Sequence, residues 1–203
     1  EPSGATSNGA GEYMFVGRTN QTANSIRRGT IAFNLAGQIP AGATITSVTL
    51  SLNMSKTIGG IKTVSVHRLT ADWGEGTSNA AANEGGGAPA TTNDATWLHR
   101  FFSGALWATA GGAYAATPSA SATVGVVARY TWGSMAGLVS DVRQWVNTPS
   151  TNFGWILVGD ESVGATAKRF DTRENLTAAN RPSLSVTFTA PSSVDDERIP
   201  TTL

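Results

Sequence analysis

Apolar and polar residues alternate with a period of two over several short stretches of the chain, as they do in half-buried strands. The clearest stretch is Ser47–Met54, where Val48, Leu50, Leu52 and Met54 alternate with Ser47, Thr49, Ser51 and Asn53. Ile31, Phe33 and Leu35 alternate with Ala32 and Asn34, which predicts a strand over Thr30–Leu35. In Ser183–Thr189, Leu184, Val186 and Phe188 share one face. Further strands are expected at Tyr13–Arg18, Thr63–Leu69, Val124–Trp132, Gly154–Gly159 and Ala165–Thr172. Pro40 and Gly42 mark a turn in Ile39–Ala43, and Gly59–Gly60 break the strand before them. The period changes once. Met135, Leu138, Val139, Val142, Trp145 and Val146 fall on one face of a helix, expected over Ser134–Val146, with Asn147 and Pro149 to stop it.

Many short strands, Gly/Pro turns and one helix predict an all-β fold: a jelly-roll-type β-sandwich with one short amphipathic helix at 134–146. The sandwich is expected over residues 12–189. Residues 1–11 and 190–203 are polar and aperiodic and read as N- and C-terminal arms or linkers. Residues 74–96 form a long, weakly hydrophobic loop, a kind that is often functional.

Composition narrows the function classes. Charged residues make up 14%, against about 25% in typical soluble domains. The surface must therefore be built from hydroxyl, amide and small side chains, as in many secreted β proteins. Fourteen basic residues balance fourteen acidic ones, so no long-range field favours nucleic acid or an anionic membrane. No run approaches the length of a membrane span. The chain has no cysteine, which excludes disulfides, thiolate metal sites and cysteine catalysis.

Catalytic motifs are missing from the sequence. The two histidines, His67 and His99, belong to no G-x-S-x-G or H-E-x-x-H pattern, and there is no P-loop. No catalytic residue is assigned. Six tryptophans are many for this length. Trp145 and Trp155 are expected in the core. Trp73, Trp97 and Trp107 border the long loops, and with His99 and Arg100 they are candidates for stacking on a sugar ring. The alternative is that these rings only cover the sheet. Asp72 and Glu75 flank Trp73. Together with Asp94 they could bind calcium, the one cofactor considered, or simply cap a turn. Asp160 and Glu161 read as solvated turn residues. In Lys168–Glu174, Arg169, Asp171, Arg173 and Glu174 read as a charge ladder joining strands, with a groove for an acidic sugar as the alternative.

Several segments in order resemble the DNRLRE-domain family, which is related to a disaggregatase-type module and to carbohydrate-binding modules. They are Ile39–Met54, Val64–Gly76, Asp94–Phe102, Tyr130–Glu161, Lys168–Asn175 and Arg181–Phe188. The resemblance implies a jelly-roll sandwich on secreted prokaryotic proteins, extracellular or at the cell surface, without catalytic activity. Two roles follow as expectations. One is a structural surface protein, a filament or layer subunit that contacts copies of itself through its terminal arms or sheet edges. The other is a carbohydrate-binding module for a polysaccharide. Neither nucleic acid nor a membrane span is expected.

Overall fold

The computed structural model describes residues 4–23 and 25–191. Its strands are β1 (Thr6–Ser7), β2 (Tyr13–Arg18), β3 (Ile26–Arg27), β4 (Gly29–Ile31), β5 (Thr44–Thr57), β6 (Lys62–Arg68), β7 (Ala88–Pro89), β8 (Ala120–Val124), β9 (Ala128–Trp132), β10 (Trp155–Val158), β11 (Lys168–Asp171) and β12 (Ser183–Thr189). One helix, α1 (Ala136–Asn147), lies between β9 and β10. All pairings are antiparallel.

The strands form an all-β sandwich with one short helix. The smaller sheet has the order β4-β10-β6-β8. The larger is organised by β5, the longest strand. Leu50 pairs with both Leu184 and Trp132, and Met54 with both Phe170 and Ala128. A residue has only two edges, so β9 runs along one edge of β5. Along the other edge β12 and then β11 follow in succession. From β11 the sheet continues through β2 to β3.

The core lies between the sheets. Leu50, Leu52, Met54, Val64, Val66, Leu157 and Phe170 are fully buried, each stabilising the fold by about 1.5–3 kcal/mol. Trp132 crosses the gap, its Nε1 donating to the Val64 carbonyl at 2.9 Å. The helix packs its apolar face, Leu138, Val142 and Trp145, against this core. The Trp145 and Trp155 rings meet at 4.5 Å. Buried Asp141 ties the helix to the smaller sheet: it accepts from Trp155 Nε1 at 2.7 Å and from Ser119 Oγ, just before β8, at 2.5 Å, and pairs with Arg68 of β6. Burial raises its pKa above the usual carboxylate value, against the pull of these donors.

The structure departs from the sequence pattern in three places. The strand expected over Thr30–Leu35 stops at Ile31, and Phe33 and Leu35 pack on the core from an irregular segment. Val124–Trp132 is not one strand but the end of β8, a turn and β9, which crosses from the smaller sheet to the larger. Tyr130 Oη closes the turn by accepting from the Gly125 amide and donating to the Val126 carbonyl. The helix is shifted about one residue or two, beginning at Ala136 after Met135 with no side-chain cap.

The N-terminal arm also differs from expectation. From Gly4 onward it is docked on its own domain: Thr6 and Ser7 pair with Pro89 and Ala88, and Ser7 Oγ donates to the Ala95 carbonyl at 2.7 Å. Of the expected C-terminal arm, residues 192–203 lie outside the described residues. No helix among the described residues is long and apolar enough to cross a membrane.

Candidate functional site

The sandwich is open along one edge of β2. Strand β3 meets β2 at Gly17 and Arg18, so among the described residues Tyr13, Met14 and Phe15 border no further strand on that side. The gap is a cleft of about 470 Å³, within the range of small-ligand sites. Tyr13–Phe15 form one wall, and Arg27, Arg28 and Thr30–Asn34 form a second. The third comes from the long loops: Trp73, Glu75, Thr96, Trp97 and Gly111. Ile156 and Trp107 lie at the base, and Thr6–Gly9 close one end. Asn8 Nδ2 donates to the Tyr13 carbonyl at 2.8 Å, replacing the missing strand partner there.

The loops that carry the third wall are weakly hydrophobic and are ordered by hydrogen bonds instead. Gly74 donates to the Arg100 carbonyl and Ala95 to the Gly74 carbonyl, while Asn93 donates to the Phe102 carbonyl and Phe102 to the Asp94 carbonyl. Asp94 is completely buried and accepts from Thr91 N at 2.6 Å, Thr91 Oγ1 at 3.2 Å and Ser78 N at 3.4 Å. Gly76, at φ +69°, must be glycine, because a Cβ there would sit 1.6 Å from Asp94 Oδ1.

Trp97 is half-buried and stacks under the Arg28 guanidinium, 4.8 Å from the ring centre. Arg28 is fixed in turn by both carboxylate oxygens of Glu161, at 2.7 and 2.8 Å, and by the Gly111 carbonyl. Trp73 is also half-buried, its Nε1 donating to the Phe153 carbonyl at 2.8 Å. Trp107 differs. It is buried with Leu69 and Ile156, and its Nε1 donates to the Thr96 carbonyl, so it anchors the loop from below.

Two candidates fall outside the cleft lining. His99 Nδ1 bonds Thr96 Oγ1 and its ring meets Phe102 edge-on. Arg100 reaches the Asp72 carbonyl and lies over Phe101. Both organise the back of the loop.

The proposed calcium ligands do not converge. Asp72 accepts from the adjacent Trp73 amide, Asp94 is used inside the loop, and Glu75 is held by Arg173 at 2.9 and 2.7 Å. No group of three His, Asp or Glu side chains that could hold a metal occurs among the described residues.

The charge ladder is split by the end of β11. Asp171 is buried and accepts from Asn53 Nδ2 at 2.6 Å and Ser55 Oγ at 2.5 Å, joining β11 to β5. Arg169 donates to Ser55 Oγ and covers the Tyr13 ring at 3.9 Å. Arg173 lies past the strand and turns to the cleft, where it pairs with Glu75 and with Glu174 at 3.0 Å. Asp160 and Glu161 are not solvated turn residues: Asp160 holds Lys62 at 2.7 Å, and Lys62 and Ser162 keep its carboxyl well below the usual range. Tyr13, Phe15, Arg27 and Arg28 belong to the cleft; the sequence pattern places Tyr13 and Phe15 only in a strand and assigns Arg27 and Arg28 no role. The adjacent arginines, in a chain with few charges, were the available signal.

No protein-family model matches the chain and no curated protein matches it, so the resemblance to the DNRLRE-domain family has no support from these comparisons.

Proposed function

We propose that this domain is a non-catalytic binding module of a secreted protein, and that the cleft holds a segment of an uncharged polysaccharide. The observation that carries this reading is the meeting of Trp73, Trp97, Tyr13 and Phe15 around one open cleft. Aromatic faces suit the C–H faces of sugar rings, and Thr6, Ser7, Asn8 and Asn34 on the rim suit their hydroxyls. Cleft arginines are neutralised in place, Arg28 by Glu161 and Arg173 by Glu75. That favours a neutral glycan over an acidic one.

The same pairing argues against glycoside hydrolysis. Such a site needs two carboxyl groups facing each other across the bond, roughly 5–10 Å apart. Glu75 and Glu161 are each engaged by an arginine. The DNRLRE-type assignment and the extracellular location belong to the same proposal and rest on the segment pattern and the low-charge surface.

Affinity electrophoresis against neutral and acidic polysaccharides tests the reading. Retardation is expected on a neutral glycan, and Trp97→Ala should weaken it by ~30-fold or more, as for a central aromatic contact. Unretarded migration on every glycan, or equal retardation of Trp97→Ala, would overturn it.

A further inference from the structure

Strand β12 ends the larger sheet. Among the described residues no strand lies beyond it, and β5 is its one strand partner. Its inner-face residues Leu184, Val186 and Phe188 are only half-buried, whereas the β5 residues beside them, Leu50, Val48 and Ile45, are completely buried. The core is therefore left partly uncovered along this edge. The outer face is Ser183, Ser185, Thr187 and Thr189, all exposed. Edge strands in soluble proteins are commonly blunted by charge, proline or shortness. β12 spans seven residues and contains neither a charge nor a proline.

The hydrogen-bonding phase follows from the neighbour. Val48 turns its amide toward the β9 side of β5, where Ser134 Oγ accepts it. Thr49 and Ser51 then face β12 and bond Ser185 and Ser183. Leu184 and Val186 consequently direct their N–H and C=O groups outward, away from β5. The pattern hydroxyl–apolar–hydroxyl–apolar–hydroxyl–apolar–hydroxyl is symmetric about Val186.

We infer that β12 is a docking edge for the β12 of a second copy, paired antiparallel about a two-fold axis at Val186. In that register Val186 faces its own copy and Leu184 faces Phe188, so the half-buried apolar row is continued. Ser185 faces Thr187, and outward N–H groups meet outward C=O groups. A second copy is the occupant this edge specifies, because the match is to its own pattern and a net charge of zero does not oppose self-association. The N-terminal segment is not a rival, since its Thr6 and Ser7 are already paired with Pro89 and Ala88. The pairing would join the two larger sheets into one and carry two clefts per particle.

Sedimentation velocity over a concentration series on the full chain tests this. The expected result is a mass that rises from one copy to two and stops there. Ser185→Lys with Thr187→Lys places lysines opposite lysines at both Ser185–Thr187 pairs, on an exposed face. It should weaken dimerisation about tenfold or more, with an unchanged thermal unfolding curve. The matching double glutamate variant should fail likewise, and mixing the two should restore a dimer. A monomer at every concentration, a dimer unaffected by the lysines, or a mass growing beyond two copies would each overturn the inference.

Discussion

The two poles of the sandwich expose apolar surface in different ways. At the cleft, aromatic side chains are recessed, half-buried and fixed by polar partners: Arg28 and Glu161 at Trp97, Phe153 at Trp73. At the other pole, the β5–β6 and β8–β9 connections, each crossing between the two sheets, carry bare aliphatics. Ile61 is 73% exposed and Val126 75%, and Ile58 and Val127 on the same connections are exposed too. The two connections touch, since a Cβ on Gly125 would lie 3.0 Å from Ile61 Cγ1. The polar groups at this tip are spent on its own backbone, as where Tyr130 Oη accepts from the Gly125 amide and donates to the Val126 carbonyl. What stiffens it is Lys168, which is buried at the start of β11 and donates to Thr57 Oγ1 at 2.6 Å, the Gly59 carbonyl at 2.8 Å and the Gly60 carbonyl at 2.5 Å. A recessed aromatic surface with oriented polar groups can select a ligand. A convex aliphatic surface without them cannot discriminate by hydrogen bonding.

The largest effect is expected where the cleft depends on its loop. Asp94→Ala leaves the Thr91 and Ser78 amides without their acceptor, at a cost of about 3 kcal/mol. The urea midpoint should fall accordingly, and glycan retardation should be lost with it. Normal stability in this variant would separate the loop from the fold and break the comparison at its stronger end.

Lys168→Met probes the tip. Removing the ammonium frees three acceptors that water reaches only in part, so a loss of about 1–2 kcal/mol at neutral pH is expected. A pH series sharpens this. Burial, aided by the charge of Lys62, lowers the Lys168 pKa below its ordinary 10.5. Between the lowered value and 10.5 the unfolded chain holds more protons than the folded one. Stability of the native protein relative to Lys168→Met should therefore rise with pH across that window and stay level below it. Urea midpoints from neutral pH to pH 10.5 check the sign. Glycan binding should not change.

The smallest effect is expected at the tip surface. Ile61→Thr and Val126→Thr should each alter stability by less than about 0.5 kcal/mol, since the side chains are mostly in water already. A drop well beyond this would show that the aliphatics are packed rather than displayed.

The strands were legible where one face is buried and the other wet. Ser47–Met54 and Ser183–Thr189 show clean alternation because their inner rows face the core. The helix was legible for the same reason at a different period. Alternation failed at Phe33 and Leu35, which reach the core without being in a strand. It failed again at Gly125–Val127, where a turn bonded to Tyr130 carries two valines into solvent. In the candidate site, Trp73 and Trp97 were recognisable as loop-border aromatics. Trp107, of the same type and neighbourhood, proved to be an anchor beneath the loop, and His99 and Arg100 face away from the cleft.

The sequence by itself determined the periodicities, and with them the sandwich, the helix, the low surface charge and the lack of cysteine chemistry. These are local or additive properties, readable residue by residue. Only the tertiary structure decided which aromatics share a cleft, that Glu161 meets Arg28 across the chain, that Arg173 leaves its ladder for Glu75, and that β12 stands at an edge. Each of these depends on sheet order and on contacts between residues far apart in the chain, which alternation along a single strand does not encode.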